Sequence, residues 1–286
     1  MSVDAILERE RRLGPRAAAC AMLAPVLILG SLIGAGRLGL PTSGVSTEQI
    51  RAFDANEGAL LVIVLVRSLG FLLLIPPLLF LFEATRARRP GLPRAMVGFA
   101  FFGPGLLALQ GIFGWIGQSQ VASDYISQYQ TGGDVYTLLD DLTNDSSIST
   151  VGQSLILPAI LGLCVAMIYF PLQAQRVGLI TRFFGTLGMA LGAATLLFAT
   201  LTLLPDTLWF LWLGLVFIGR TPRGRPPAWD AGKAIPWPRA GQPPAEVATE
   251  PAVVEGDAGE VFSGDREHDH SERRERARKR KRKRRR

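Results

Sequence analysis

The chain has 286 residues, 48% of them hydrophobic and 19% charged, with a formal charge of +7 and only two cysteines. The apolar and charged classes are segregated: residues 17–219 are a series of long apolar runs, while residues 221–286 hold eight prolines and most of the charge. That excludes a soluble domain, in which core and surface positions interleave. It also removes the nucleic-acid signature of a pI near 10, because residues 273–286 carry twelve bases against one acid and the other 272 carry nineteen against twenty-three.

The first sixteen residues, with Arg9, Arg11, Arg12 and Arg16, form a basic N-terminal arm. Apolar runs of about membrane-spanning length then follow at Ala17 to Ala35, Ala59 to Phe82, Ala95 to Ile116, Val151 to Leu172 and Leu179 to about Thr202. A sixth, Thr207 to Gly219, is short, and spans if the Leu204-Pro205-Asp206 turn is tight and Asp206 caps the last helix. The first run is longer than a signal-peptide core, so it is expected to be an uncleaved helix.

Basic residues stay on the cytoplasmic side of short loops. Arg86, Arg88, Arg89 and Arg94, then Arg176 and Arg182, then Arg220, Arg223 and Arg225 alternate with loops that hold only Arg37 and Arg51, or none. The expected fold is therefore all-α: an integral membrane bundle of six transmembrane helices in the plasma membrane, N-in and C-in. It has an arm over 1–16, a membrane domain over 17–219 with an outer loop over 118–150, and a disordered cytoplasmic tail over 220–286.

Within this domain, Pro76-Pro77 and the Gly103-Pro104-Gly105 cluster predict bent or broken helices. Trp115 and Trp209 are expected near outer helix ends and Phe183 and Phe184 near an inner one. Val135, Leu138, Leu139 and Leu142 repeat at helical spacing opposite Asp134, Asp140 and Asp141, predicting a short helix on the outer surface. Gly185, Gly188 and Gly192 share a face of the fifth span, a pattern that serves either ordinary packing or a moving or dimerising interface.

Arg67 is the residue inside a span that points to function, since a cation at that depth costs ~2.5–3.5 kcal/mol. By depth, Ser68, Gln110, Gln153 and Ser154 are expected to line one outward polar recess with it, holding a lipid headgroup or small anionic solute. The competing reading ties Arg67 to Gln110, to helix-end carbonyls, or to Glu57 or Asp206. Enzyme motifs are missing: the two histidines, His268 and His270, lie in the tail, and there is no phosphate-binding loop, cofactor motif or metal motif.

After the spans comes Arg225-Pro-Pro-Ala-Trp-Asp-Ala-Gly-Lys-Ala-Ile-Pro-Trp-Pro238, expected to be extended, with Trp229 and Trp237 resting at the interface or docking under the bundle. This segment resembles the juxtamembrane stretch of uncharacterised actinobacterial multi-span membrane proteins, a resemblance that implies a host lineage and no activity. Nine acids in 246–272 and the basic block with Arg280, Arg282 and Arg284 follow. The block suits anionic lipid in the leaflet to which it is tethered, or alternatively a ribosome or protein partner. The ribosome reading resembles membrane insertases, which pair an intramembrane Arg with a basic tail, although six spans and an outward Arg67 depart from their layout. Two functions follow as expectations: a transporter-like, ligand-binding bundle centred on Arg67, or a non-catalytic scaffold working through its tail.

Overall fold

Lipid offers no hydrogen-bond partner to a bare backbone, so apolar runs of this length satisfy their amides internally as helices. The computed structural model describes residues 2–38, 53–129, 146–222 and 224–237, and all the regular structure among them is helical. Helix α1 (Val3–Arg37) is continuous through Pro15 and Pro25 and starts at Ser2, whose hydroxyl accepts from the Ala5 amide at 3.3 Å. Its 35 residues reach ~50 Å, well beyond a ~30 Å hydrocarbon core. The expected N-terminal arm is thus the first turns of a single rod.

Helices α2 (Glu57–Leu72) and α3 (Ile75–Arg88) form one apolar stretch interrupted at Leu73 and Leu74, where Pro76 and Pro77 open the new helix and have no amides to donate backwards. A 3-10 turn at Arg94–Met96 leads into α4 (Val97–Tyr129). This helix runs through Pro104 and past Ile116 without a break, so residues 118–129, expected in a loop, are helical. The outer amphipathic segment around Val135 to Leu142 lies outside the described residues. After it come α5 (Ser147–Ser154), capped by Ser146, and α6 (Ile156–Val177), closed by Gly178 at φ +83°.

Helix α7 (Arg182–Phe217) reverses direction at Phe198, with φ −139° and ψ 50°. Its arms, Arg182–Ala199 and Leu201–Phe217, are antiparallel: the Trp209 ring stacks on Phe184 at 4.9 Å, and its indole N–H donates to the Phe184 carbonyl at 3.1 Å. The expected turn at Leu204-Pro205-Asp206 is therefore corrected. Pro205 and Asp206 sit within the second arm, and the reversal uses no Gly or Pro: Phe198 turns at a negative φ open to any residue, and the Thr202 hydroxyl lies 3.3 Å from the Ala199 carbonyl. Trp209 accordingly lies level with Phe184, at the open end of the hairpin and not at its tip.

Among the described residues five helices are long and apolar enough to cross a membrane, and the second hairpin arm is a shorter apolar one. Small residues set how closely they approach. A Cβ on Gly103 of α4 would lie 2.3 Å from the Leu163 amide nitrogen, and one on Gly162 of α6 would lie 2.9 Å from the Gly103 Cα, so these two helices meet backbone to backbone. A main core with Leu78, Phe82, Phe170, Leu213 and Trp229 fills one end and the middle, and a smaller cluster of Phe53, Leu60, Ala122 and Tyr125 lies at the other end.

The compact unit runs from the N-terminus to Trp237. Residues 220–237, expected as the start of a disordered tail, therefore belong to the bundle and include helix α8 (Pro227–Ala231). Residues 238–286, with Arg280, Arg282 and Arg284, are outside the described residues.

Candidate functional site

Arginines collect at one end of the bundle because α1 begins there, α3 and α6 end there, and the α7 hairpin both enters and leaves there. The first turns of α1 carry Glu10, which meets Arg88 from the last turn of α3 in an ion pair whose side chains are 6% and 0% exposed. All five guanidinium N–H groups of Arg88 are used. One Nη1 bond and one Nη2 bond, the latter at 3.0 Å, go to the two oxygens of Glu10, another Nη1 bond goes to the Ala84 carbonyl at 2.9 Å, and Nε and Nη2 both donate to the Ala228 carbonyl at 3.0 and 2.8 Å. Buried ion pairs persist where every remaining donor is satisfied in this way. The same residue therefore ties the N-terminal helix, α3 and the juxtamembrane segment together.

Trp229 of α8 fills the adjoining space. Its ring stacks on Phe80 at 5.6 Å, meets the edge of Phe217 at 5.9 Å, and lies 4.7 Å below the Arg225 guanidinium, while its N–H donates to the Leu179 carbonyl at 2.8 Å. Burial lowers the Arg225 pKa from the ordinary arginine value, with the Arg88 charge acting in the same sense and the carboxylates of Asp230 and Glu10 opposing it. Trp237 repeats the motif, donating to the Ile180 carbonyl at 2.8 Å, and the Ile235 amide donates to Val177 at 3.0 Å. The positive φ of Gly178 admits this strand of chain: a Cβ there would lie 2.0 Å from the Ile235 carbonyl oxygen. Of the two placements open to the tryptophans, the structure shows docking under the bundle.

Between α1, α3 and the start of α4, beside this staple, is a cavity of about 430 Å³. Its walls are Leu13, Ala17, Leu79 and Phe101, and its rim carries Arg9, Arg16 and Glu83. Arg9 and Glu83 are 3.3 Å apart and well exposed, while Arg16 has no ion pair among the described residues. Glu10 also lines the cavity, engaged by Arg88, so the cation left for an anionic head group on an amphiphile is Arg16, with Arg9 shared with Glu83. A second apolar cavity of about 720 Å³ lies between the hairpin arms, lined by Phe184, Leu191, Leu208 and Trp212.

The residues expected around an outward recess are placed differently. Arg67 shares a face of α2 with Ile63 and Gly70, both of which meet α1, and it has no hydrogen bond or ion pair with a described residue. Ser68 turns the other way, donating to the Ala108 carbonyl of α4 at 3.0 Å. Gln110 is half-buried on α4. Gln153 and Ser154 are exposed and bond within α5, to Ser149 at 3.5 Å and the Val151 carbonyl at 2.8 Å. None of the five lines either cavity described above.

Gly185, Gly188 and Gly192 all pack inside the chain, against Gln175, the Trp209 ring and Met167 respectively. Glu57, offered as a partner for Arg67, instead accepts from Ser119. Among the described residues there is no cluster of three His, Cys, Asp or Glu able to hold a metal ion. Compared with protein-family models, curated proteins and solved structures, the chain matches none at a significant level.

Proposed function

We propose that this chain is a six-span plasma-membrane protein, with both termini cytoplasmic, that binds anionic phospholipid at its basic end. The observation that carries this reading is the 430 Å³ apolar cavity whose rim holds Arg16 and the Arg9–Glu83 pair, beside the fully paired Arg88–Glu10–Trp229 staple. The acyl chain would lie against Leu13, Ala17, Leu79 and Phe101, and the head group would meet the two arginines. The basic end is the cytoplasmic one by the positive-inside rule, and that leaflet carries the negative surface potential that attracts them. The polybasic block over 273–286 acts on the same leaflet as a second, looser contact, which makes the protein a non-catalytic lipid-organising scaffold and not an enzyme.

The test is lipid retention by the full chain in mixed anionic and zwitterionic nanodiscs. At ~1 kcal/mol per basic residue near the surface, the double variant Arg9→Ala/Arg16→Ala should lose about thirtyfold in preference for anionic lipid. Equal retention of both lipid classes by the wild type would sink the proposal. A second reading, the transporter-like ligand site at Arg67, is favoured by that residue's lack of a partner among the described residues. It requires Arg67→Leu to abolish binding of an anionic solute while leaving lipid retention unchanged.

A further inference from the structure

The α7 hairpin encloses a carboxyl group that the lipid-binding reading does not use. Asp206 is 8% exposed and lies in the second arm, Leu201–Phe217, about a turn and a half from the hairpin tip. One oxygen, Oδ2, is 2.9 Å from the Thr195 hydroxyl of the first arm, while Oδ1 has no hydrogen-bond partner. No cationic side chain among the described residues pairs with it. A carboxylate inside an apolar arm with a single neutral donor is expensive.

The hydroxyl arrangement around it is consistent with two protonation states. With Asp206 ionised, Thr202 donates to Thr195 at 3.1 Å and Thr195 donates to Asp206. With Asp206 neutral, the acid proton sits on Oδ2 and is given to the Thr195 oxygen across the same 2.9 Å, and Thr195 turns its own hydrogen to the Leu191 carbonyl at 2.8 Å. Thr202 then donates to the Ala199 carbonyl at 3.3 Å, at the point where the helix is broken. Each hydroxyl hydrogen has an acceptor in both states, so one proton can be gained or lost without moving a heavy atom.

We propose that Asp206, with Thr195 as its relay and Thr202 between it and the hairpin tip, is a proton-binding site of the membrane domain. A proton taken up from the aqueous phase adds to Oδ2 and reverses the Thr195 bond; its release restores the first arrangement. The elements packed against the hairpin present no competing charge at this depth. Helix α1 has its charged residues before Ala17 or at Arg37, leaving only Cys20 between them; α6 contributes Cys164, Tyr169 and, at its basic end, Arg176; the hairpin's own cation is Arg182, with Arg220 three residues beyond its end.

Infrared spectroscopy of the full chain in nanodiscs tests this directly. As the pH is lowered the wild type should gain the carbonyl stretch of a protonated carboxylic acid, and Asp206→Asn should lack it. Thr195→Val should keep the band and move it to higher frequency, because the acid proton has lost its acceptor; this arm decides the matter even if Asp206→Asn fails to accumulate. A spectrum in which Asp206→Asn removes no such band, or in which Thr195→Val leaves it unmoved, overturns the proposal. So does a wild-type melting temperature that rises with sodium through Asp206, which would make the ligand a metal cation.

Discussion

The Arg88–Glu10 network at the basic end and the middle of the bundle treat charge in opposite ways, while Arg225 Nε and Gln175 Oε1, at the same basic end, have no partner. At the basic end Arg88 uses all five donors, Glu10 uses both oxygens, and Trp229 and Trp237 each place their N–H on a carbonyl. In the middle, Arg67 has no partner among the described residues and Asp206 has one oxygen unpartnered. A saturated network fixes architecture, because removing any member leaves another buried and unpaired. An unsaturated group costs stability as it stands, and retains capacity for a ligand or a proton.

That contrast predicts an order of effects. The largest belongs to Arg88→Ala or Glu10→Ala, either of which strands a buried charge and should cost ~3–5 kcal/mol, seen as loss of folded protein or a fall in melting temperature. The double replacement Arg88→Met/Glu10→Met should recover much of this, since an apolar pair removes both charges together. Trp229→Ala comes next, at about 3 kcal/mol, because it empties the space between Phe80, Phe217 and Arg225; loss of the 225–237 segment's protection in hydrogen exchange would accompany it. Gly178→Ala should cost ~1–2 kcal/mol for its backbone conformation alone and displace Ile235 as well. Arg67→Leu should move the other way: removing an unpaired charge from that depth should leave stability unchanged or raise it, by at most ~2.5–3.5 kcal/mol. If Arg67→Leu proves as damaging as Arg88→Ala, the distinction between saturated network and unsaturated middle fails.

Much of this was legible in the sequence, for identifiable reasons. Apolar runs show helices because lipid allows little else, and Pro76-Pro77 marked the α2–α3 break since a missing amide cannot be compensated locally. The two tryptophans after the last span left two placements open, at the interface or docked under the bundle, and only their hydrogen bonds to the Leu179 and Ile180 carbonyls decide between them. The hairpin turn was misread because Leu-Pro-Asp carries familiar turn chemistry, whereas Phe198-Ala199-Thr200 carries none; the side chains that stabilise the true geometry, Thr195 and Thr202, act across the hairpin and not along it. Glu10 and Arg88 are 78 residues apart, and no local pattern joins them. Depth alone grouped Arg67 with Ser68, but adjacent residues on a helix face different neighbours, and Ser68 takes the α4 side. Gly103, beside Pro104, reads as a bend in the sequence and serves as a contact with Gly162, a pairing visible only once the helices are side by side.

Occupancy of the basic end by a lipid is the decisive question. Photo-crosslinking of the full chain in nanodiscs with an anionic phospholipid that carries a reactive group in its acyl chain would locate it. The predicted result is labelled peptides concentrated at Leu13, Leu79 and Phe101, sharply reduced in Arg9→Ala/Arg16→Ala and retained after deletion of residues 273–286. Label spread evenly over the apolar surface of the helices, or unchanged by the two arginine substitutions, would contradict it.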